Sequence, residues 1–197
     1  MTIPLDPIAR FRTLLAAAQA VDRAVLPEPT AFALGTVGDD GQPSVRIVLL
    51  KDVDRDGFVF YTNFQGRKGR ELLAHPRAAL CFHWQQLEEQ VRVEGEAVPV
   101  SDAEADAYFA SRPRGSQLGA WASQQSRPIH PEGELERRLA EVERRFADAP
   151  VPRPPHWGGF RVEPARIEFW RNQTSRLHVR HLYTRDGAGW RIETLYP

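Results

Sequence analysis

The sequence is poor in cysteine and has no long apolar run. It contains a single cysteine, Cys81, among 197 residues, which rules out an intramolecular disulfide and a cysteine-rich zinc site. The neighbours of Cys81 (Ala-Leu-Cys-Phe) are typical of a small buried apolar residue. No apolar stretch approaches the roughly 20 residues of a membrane-spanning helix. The first residues, MTIPLDPIARF, lack the basic start and apolar core of a signal peptide. We therefore expect a cytoplasmic protein with no membrane partner.

The chain also lacks net charge of either sign. Its 26 Lys and Arg residues balance its 26 Asp and Glu residues. A neutral chain does not have the overall electrostatic footprint of a nucleic-acid-binding protein, so nucleic acid is not an expected partner. Any affinity for anions must come from local clusters of basic residues. The length and the 42% of hydrophobic residues suit one ordinary globular domain.

The order of predicted elements favours an α+β fold with a mainly antiparallel sheet or barrel. A helix over about residues 6–24 is indicated by Asp6 as its cap, by Pro7 and by an apolar stripe from Ile8 to Ala18. Further helices are predicted at 66–73, 101–112, 115–123 and 132–146. Strands are predicted at 31–37, 44–51, 58–62, 77–84, 90–100, 159–162, 166–170, 180–184 and 190–195. Because the strands come in runs, a parallel βαβ arrangement is not expected.

One candidate site lies near the C-terminus, at Arg176-Leu-His178-Val-Arg180. Successive side chains of an extended strand point to opposite faces, so Arg176, His178 and Arg180 would share one face. Two guanidinium groups beside an imidazole repel one another unless an anion or carboxylates lie among them. The alternative is a solvated strand edge, whose charges discourage pairing with other strands. Taken alone, the segment favours that alternative.

A second candidate site is predicted where a strand ends in Tyr61-Thr62 and a helix begins at Gly66-Arg67-Lys68. Backbone N–H groups at a helix N-terminus bind phosphate, and basic side chains there add charge-assisted hydrogen bonds. Without an anion, Arg67 and Lys68 would oppose the helix dipole and mildly destabilise the helix. The pattern therefore slightly favours a bound anion over a bare helix end.

A third group, Tyr108, Arg112 and Ser116, has the chemistry of a phosphate site. Tyr108 and Arg112 are four residues apart at the end of a predicted helix and share a face. Pro113 ends that helix, so that Ser116 can point back toward them. Two hydroxyls and a guanidinium suit a phosphate monoester, although they would equally suit a helix end in solvent.

Two further cations, Arg46 and Lys51, lie in an otherwise apolar strand. Strict alternation places them on opposite faces, so they would serve two different anions unless the strand contains a bulge. The alternative is that both are strand-end charges that reach solvent. That alternative suits Arg46 less well, because residues 47–50 continue the strand beyond it.

Patterns of several other enzyme classes are missing. His178 and His181 are three residues apart, but no acidic residue accompanies them at metal-ligand spacing, so no metal site is predicted. The sequence has no Gly-x-Ser-x-Gly motif, no Walker loop and no Rossmann fingerprint.

A series of short motifs runs along most of the chain. They are Arg46-Ile-Val-Leu-Leu-Lys51, Phe60-Tyr-Thr-Asn63, Gly66-Arg-Lys68, Glu89-Gln-Val-Arg-Val-Glu-Gly95, Ser111-Arg-Pro-Arg114, Ser116-Gln-Leu-Gly-Ala-Trp-Ala-Ser123, Gln125-Ser126, Trp157-Gly-Gly-Phe-Arg161, Glu168-Phe-Trp170 and Arg176-Leu-His178. Taken together, these motifs resemble those of the pyridoxamine 5′-phosphate oxidase family. They follow one another in the family's order from about residue 31 to residue 197, and this order is far more specific than any single motif.

The resemblance implies a single FMN-binding split β-barrel domain over residues 1–197, in which strands over about 157–197 complete the barrel and the active site. It implies a homodimer with FMN in clefts at the subunit interface, touched by both chains. The residues implied to bind FMN are Arg46, Tyr61, Thr62, Arg67, Lys68, Gln90, Gln125, Ser126, Trp170 and Arg180. Those implied to bind the substrate are Lys51, Tyr108, Arg112 and Ser116, together with Arg176 and His178 as the catalytic pair.

The activity implied by the resemblance is oxidation of pyridoxamine or pyridoxine 5′-phosphate by O2 to pyridoxal 5′-phosphate. Hydrogen peroxide is released, as is ammonia from the amine. Two alternatives remain: a phenazine-pathway-like flavin oxidase of the same fold, and a non-catalytic protein that binds FMN or pyridoxal phosphate. The sequence departs from the family's usual Arg-Leu-His-Asp-Arg at Val179, and from Gln-Gly after the tryptophan at Arg171-Asn172. Alternation would point Val179 away from the Arg and His side chains.

Overall fold

The computed structural model describes residues 3–197, and within them the chain forms one sheet of nine antiparallel strands with five α-helices. The strands are β1 (Ala31–Val37), β2 (Pro43–Leu49), β3 (Asp52–Val53), β4 (Phe58–Asn63), β5 (Arg77–Trp84), β6 (Glu89–Pro99), β7 (Trp157–Arg171), β8 (Val179–Asp186) and β9 (Gly189–Leu195). The helices are α1 (Pro7–Gln19), α2 (Arg67–Ala74), α3 (Asp102–Ser111), α4 (Arg114–Ala122) and α5 (Glu134–Arg145). The α+β prediction with a mainly antiparallel sheet is confirmed.

The long strand β7 holds the sheet together. The strand order is β2-β1-β5-β6-β7-β4-β3, and β6 pairs with almost the whole of β7. On its other edge, the first half of β7 pairs with β4 and the second half pairs with β8, which continues into β9. The sheet therefore divides at β7 into two branches. Strands β4 and β8 pair with successive halves of the same edge of β7.

The prediction of two separate strands at 159–162 and 166–170 is wrong, because β7 runs through both. A β-bulge explains the difference. Gly95 of β6 lies opposite Pro164, and the register shifts by one residue between Glu94 and Gly95. A bulge leaves an extra residue unpaired and tolerates proline within a strand. The proline and the local loss of apolar alternation therefore interrupt the sequence pattern without ending the strand.

Helix α1 closes one side of the core. Asp6 caps it, since its Oδ1 accepts hydrogen bonds from the backbone N–H groups of Ile8 and Ala9. Phe11 is fully buried, with ring centroids 4.8 Å from Phe58 and Phe82. The helix ends at Gln19 rather than at the predicted 24, and residues 22–26 form a separate turn closed by backbone hydrogen bonds.

The two faces of the sheet differ in character. The inner face carries the aromatic and aliphatic core, to which β6 contributes Val91 and Val93. The outer face bears partly exposed residues, including Cys81, which is half-buried rather than buried as the sequence suggested. At its β2 edge, the side chains of Val45 and Ile47 are 71% and 67% exposed. Within residues 3–197, no helix has the length and apolar character needed to cross a bilayer.

Replacing Gly95 with alanine should destabilise the protein by about 2–3 kcal/mol, the usual cost of forcing extra atoms into a packed site. A Cβ there would lie 2.0 Å from the backbone oxygen of Glu163, which the strand pairing holds in place. Urea denaturation monitored by circular dichroism measures the change. Gly115→Ala is the matched control, because a Cβ at that position in α4 meets open space and alanine favours helix. Equal stability of the two variants would contradict the packing argument.

Candidate active site

A cavity of about 770 Å³ opens between the end of β2, strand β4, helices α2 to α4 and the start of β7. Three cationic side chains line it, namely Lys51, Lys68 and Arg112. Among the described residues that line it there is no aspartate or glutamate. The other polar lining residues are Tyr61, Thr62, Asn63, Tyr108, Ser111, Ser116, Ser123 and Gln125. A concave site with converging cations and hydroxyls, and without a carboxylate to neutralise them, is suited to an anionic ligand.

Arg112 is the most distinctive cation of the cavity. It follows the last residue of α3, and its guanidinium carbon lies 4.7 Å from the ring centroid of Trp157 and 5.4 Å from that of Phe109. Its Nη1 is buried and has no hydrogen-bond partner among the described residues. Burial lowers the pKa of Arg112, which reports the cost of desolvating its charge. A buried donor without an acceptor is costly, so a bound anion would relieve a real energetic deficit here.

Three aromatic rings form a wall beside Arg112. The rings of Tyr61 and Tyr108 are stacked with centroids 4.0 Å apart, and the ring of Trp157 lies nearly parallel to Tyr61 at 5.5 Å. Burial, followed by the charge of Glu104, raises the pKa of Tyr61 to about 12. Tyr61 is therefore a neutral phenol that can donate a hydrogen bond at physiological pH.

Lys68, another cation of the cavity lining, lies on the first turn of α2. Its Nζ donates to Thr62 Oγ1 at 3.1 Å and to Gln125 Oε1 at 2.9 Å, both of which are neutral acceptors. Burial, followed by the nearby charge of Arg46, lowers the pKa of Lys68. At the same helix N-terminus, the backbone N–H of Arg67 donates to Ser126 Oγ at 3.2 Å. Charge and donors are thus concentrated where the sequence predicted an anion site.

Arg46 and the side chain of Arg67 are held by an internal carboxylate instead of lining the cavity. Glu71, 8% exposed, lies 3.2 Å from Arg46 Nη2 and 2.8 Å from Arg67 Nε. Its Oε2 also accepts hydrogen bonds from the hydroxyls of Thr36 and Ser44. Burial alone would raise the pKa of Glu71, but these hydrogen bonds and the charge of Arg46 outweigh it and hold the pKa at about 2. The carboxylate is therefore ionised at every physiological pH.

Replacing Glu71 with glutamine should lower the free energy of unfolding at pH 7 on the order of 2 kcal/mol. Because the folded-state pKa is depressed, the stabilisation is complete above the unfolded value of 4.5 and is lost as the pH falls toward about 2. The wild type should thus lose stability between pH 4.5 and 2, whereas the variant lacks this component of the pH dependence. Urea denaturation at several pH values measures it. Glu94→Gln, which removes an exposed carboxylate 3.7 Å from Arg166, should change little, and equal profiles for the two variants would contradict the argument.

A second group of predicted site residues lies outside this cavity, on the outer face of the sheet. Register places Gln90, Trp170 and Arg180 side by side on β6, β7 and β8. Arg180 is held by the buried Glu168, with Nε 2.9 Å from Oε1 and Nη2 3.1 Å from Oε2. Arg92 donates to the same carboxylate.

The prediction that Arg176, His178 and Arg180 share one face of an extended strand is wrong. Residues Thr174–Arg176 form a 3₁₀ turn, in which Ser175 and Arg176 have φ of 57° and 62°, and β8 begins only at Val179. His178 packs against Trp170, with ring centroids 4.5 Å apart, and its Nδ1 accepts a hydrogen bond from the backbone N–H of Gln173. Two left-handed residues break the alternation that the sequence argument required. Neither Arg176 nor His178 lines the cavity within the same protomer.

Val179 points away from Arg180, as alternation predicted. It lines a smaller cleft beside α1 with His181, whereas Arg180 lies on the outer face with Glu168. The residues that sequence reasoning overlooked are those whose partners are distant in the chain. Trp157 belongs to one of the family motifs but was assigned no role. The arginine partners of Glu168 are 76 and 12 residues away in the chain. Glu71 has a local signal in Arg67, four residues earlier on the same helix, but its other partner, Arg46, is 25 residues away.

Comparisons with known proteins identify the family. Residues 19–146 match the family model described as pyridoxamine 5′-phosphate oxidase. The chain belongs to the pyridoxamine 5′-phosphate oxidase family. Residues 157–197, which include β7 to β9, match the family model described as the pyridoxine 5′-phosphate oxidase C-terminal dimerisation region, and this match supports a homodimer.

Individual relatives within the pyridoxamine 5′-phosphate oxidase family agree with this membership. The pyridoxine/pyridoxamine 5′-phosphate oxidase of Myxococcus xanthus is 63% identical over 195 residues, covering 99% of this chain and 93% of that protein. The enzyme of the same name from Rubrobacter xylanophilus is 60% identical, covering 98% and 87%. The crystal structure of PhzG from Burkholderia lata, in complex with tetrahydrophenazine-1-carboxylic acid, has a TM-score of 0.90 at 34% identity, covering 98% and 94%. An FMN-binding protein of Nostoc punctiforme has a TM-score of 0.77 at 19% identity and shows the shared fold alone.

Proposed function

We propose that this protein is an FMN-dependent oxidase that converts pyridoxamine 5′-phosphate and pyridoxine 5′-phosphate into pyridoxal 5′-phosphate. Oxygen is the final electron acceptor, hydrogen peroxide is released, and the amine substrate also yields ammonia. The observation that carries the proposal is the cavity in which the buried Arg112 has no partner at Nη1 and no carboxylate competes for it. Family membership supplies the reaction class, and relatives of 60–63% identity carry the name of this activity.

We assign the substrate phosphate to the end of the cavity formed by Lys51, Tyr108, Arg112 and Ser116. Lys51 follows β2, and its position is fixed by the hydrogen bond from its backbone N–H to the oxygen of Val59. The other three residues come from α3, its end and α4. A phosphate dianion offers enough acceptors for an ammonium, a guanidinium and two hydroxyls at once, and charge-assisted hydrogen bonds are the strongest of these contacts.

We assign FMN to the Lys68 side of the cavity, where FMN when bound takes up the hydride equivalent from the substrate and passes the electrons to O2. Lys68 meets only neutral oxygens, so its charge is available to an anionic cofactor. The residues that we assign to FMN here are Arg46, Tyr61, Thr62, Arg67, Lys68, Gln125 and Ser126. Of these, Arg46, Arg67 and Ser126 do not belong to the lining of the cavity itself. In this assignment Glu71 orients Arg46 and Arg67. The two positive charges of the arginines exceed the single negative charge of Glu71, so a net positive charge remains for the cofactor.

We assign Gln90, Trp170 and Arg180 to the same flavin site and Arg176 and His178 to the substrate, but through the partner subunit of a homodimer. These five residues lie away from the cavity of their own protomer, on or next to the C-terminal region that matches the dimerisation model. A two-fold dimer can bring this group of one protomer to the cavity of the other. There Arg176 and His178 would orient the substrate and stabilise charge on its oxygen or ring.

A phenazine-type oxidase is the second candidate, because the PhzG structure is similar over nearly the whole chain. A ligand named as a carboxylic acid offers one negative charge, whereas this cavity presents three uncompensated cations. A non-catalytic carrier is the third candidate and predicts binding without turnover. The assignment of residues 1–197 to a single domain and the cytoplasmic location remain predictions.

The test is turnover of the purified, FMN-loaded protein in air. With pyridoxine 5′-phosphate we expect equal amounts of hydrogen peroxide and pyridoxal 5′-phosphate, and with the amine we also expect ammonia. A protein that oxidises only tetrahydrophenazine-1-carboxylic acid, the ligand in the PhzG structure, is a phenazine-type enzyme. A protein that binds FMN and phosphorylated vitamer but forms no peroxide is a carrier, and either result would reject the proposal.

A further inference from the structure

We propose that Trp157 positions Arg112 for the ligand phosphate and thereby sets the preference for phosphorylated over unphosphorylated ligands. This inference rests on the proposed function and names a positioning residue for it. Its basis is the contact between the guanidinium of Arg112 and the face of Trp157, at 4.7 Å from the ring centroid, in the wall of the cavity.

Arg112 differs from Arg46, Arg161 and Arg180, which are also partly buried, in what holds it. Carboxylates hold Arg46, Arg161 and Arg180, through Glu71, Asp54 with Glu104, and Glu168 respectively. Arg112 instead rests against the aromatic faces of Trp157 and Phe109, and no ion pair to it occurs among the described residues. The chain thus orients one cation in this cavity without neutralising it.

The difference matters for anion binding. A carboxylate that oriented Arg112 would also cancel most of its field and occupy the donors that a phosphate needs. An aromatic face attracts the cation through its quadrupole, leaves the in-plane N–H groups unoccupied and adds no negative charge. The unpartnered Nη1 is the direct sign of donors held ready in this way. Trp157 therefore gives Arg112 a defined position and full charge together.

Trp157 is well suited to act as a fixed support. It is 6% exposed, and its backbone pairs with Asn63 at the start of β7. Its carbonyl oxygen accepts a hydrogen bond from Arg153 Nη1 at 2.8 Å, and the ring of Phe109 meets its ring edge-on at 5.1 Å. The indole is thus held from several sides, so the position of Arg112 follows from that of the ring.

The same ring also aligns the tyrosines of the cavity. It lies parallel to Tyr61, at 5.5 Å and 6°, and to Tyr108, at 6.2 Å and 7°. Tyr61 belongs to the residues assigned to FMN, and Tyr108 belongs to those assigned to the substrate phosphate. Trp157 therefore stacks with a residue of each assigned region. Its replacement should disturb the phosphate end most, because the charge of Arg112 rests on the indole face and has no carboxylate partner among the described residues.

The experiment compares Trp157→Phe and Trp157→Leu in the FMN-loaded protein. The leucine variant should raise the KM for pyridoxine 5′-phosphate and the Kd for pyridoxal 5′-phosphate about tenfold, and the phenylalanine variant about threefold, as expected for loss and weakening of a partly desolvated cation–π contact. The kcat should change by less than about twofold, as should kcat/KM for unphosphorylated pyridoxine, because the contact between Trp157 and Arg112 acts on the phosphate and not on the reacting atoms.

Trp121→Phe is the matched control. Trp121 carries the guanidinium of Arg145 at the same 4.7 Å and belongs to the same apolar cluster, but it does not line the cavity. Its replacement should lower the thermal stability of the protein without changing the ratio of activity on phosphorylated and unphosphorylated substrate. If the Trp157 variants change that ratio no more than Trp121→Phe does, Trp157 is only a core residue and the inference is wrong.

A double-mutant cycle tests whether Trp157 acts through Arg112. In the Arg112→Ala background, Trp157→Phe should have almost no further effect on the Kd for pyridoxal 5′-phosphate. Additive effects would overturn the inference even if the fold of every variant is intact by circular dichroism. Failure of the wild type to oxidise pyridoxine 5′-phosphate would reject the proposed function instead, and the binding measurements with pyridoxal 5′-phosphate would still decide the role of Trp157.

Discussion

Replacing Arg112 with alanine is expected to raise the KM for pyridoxine 5′-phosphate about 100-fold. A change of this size corresponds to the free energy of one or two hydrogen bonds between charged partners in a partly desolvated site. The structure gives the reason for so large an effect. The guanidinium has already lost water and gains no carboxylate in return, so its whole interaction with an anion is available to the ligand.

The effect should be confined to phosphorylated ligands. Steady-state peroxide formation with pyridoxine 5′-phosphate and with pyridoxine separates loss of phosphate binding from loss of catalysis. Arg145→Ala is the matched control, because Arg145 lies over Trp121 and Phe146 at 4.7 and 4.9 Å but belongs to no cavity wall described here. The control should keep the wild-type KM. If Arg112→Ala also keeps the wild-type KM for pyridoxine 5′-phosphate, the phosphate binds elsewhere.

Much of the sheet follows from local patterns. The predicted strands at 31–37 and 77–84 coincide with β1 and β5, because both segments are mostly apolar, and in the structure buried and more exposed residues alternate along each of them. Strand β3, two residues long, carries no such pattern and forms only because β4 pairs with it. The bulge at Gly95 and Pro164 breaks the alternation inside β7 and cannot be distinguished in sequence from a loop between two strands.

The candidate site divides in the same way. The spacing of Tyr108, Arg112 and Ser116 predicts that they lie together, and all three line one cavity. They are close because they lie at the end of α3 and in the first turn of α4. The arrangement around Arg176 was not predictable, since the left-handed conformations of Ser175 and Arg176 have no glycine to signal them. The pairing of Glu71 with Arg46 and of Glu168 with Arg92 and Arg180 is recognisable only once separate elements have packed, whereas Arg67 and Glu71 are four residues apart on one helix.

Charge neutrality of the whole chain is compatible with a strongly cationic cavity because acidic residues are placed against particular arginines. Arg171, one of the departures from the family pattern, illustrates this: it lies opposite Glu89 in the β6–β7 register, with Nε 2.5 Å from Oε1. Such pairs neutralise arginines of the sheet, whereas Lys51, Lys68 and Arg112 face the cavity without a carboxylate in its lining. The functional charge is therefore set by local pairing and cannot be deduced from composition.

Two inactive variants, Arg112→Ala and Arg176→Ala, are expected to restore activity when their subunits are mixed. Arg112 lines the cavity of its own protomer, whereas Arg176 lies in the turn before β8 and outside that cavity. If a two-fold dimer brings Arg176 of one subunit to the cavity of the other, each heterodimer contains one site with both residues intact. A one-to-one random mixture should then regain about a quarter of the wild-type activity, since about half the dimers are mixed and one of their two sites is complete.

The measurement is peroxide formation after co-refolding or co-expression of differently tagged subunits, at a substrate concentration near the wild-type KM, where each parent variant is nearly inactive. Mixing Arg112→Ala with Lys51→Ala is the matched control, because both residues line the cavity of the same protomer and every site of that heterodimer carries a defect. If activity recovers only in the mixture of Arg112→Ala with Arg176→Ala, then Arg112 and Arg176 of one active site come from different subunits. Absence of recovery in isolated heterodimers would mean that Arg176 serves the cavity of its own protomer, because a heterodimer with a shared site contains one intact copy of that site. Full activity of the Arg176→Ala parent alone would mean that Arg176 takes no part in the reaction.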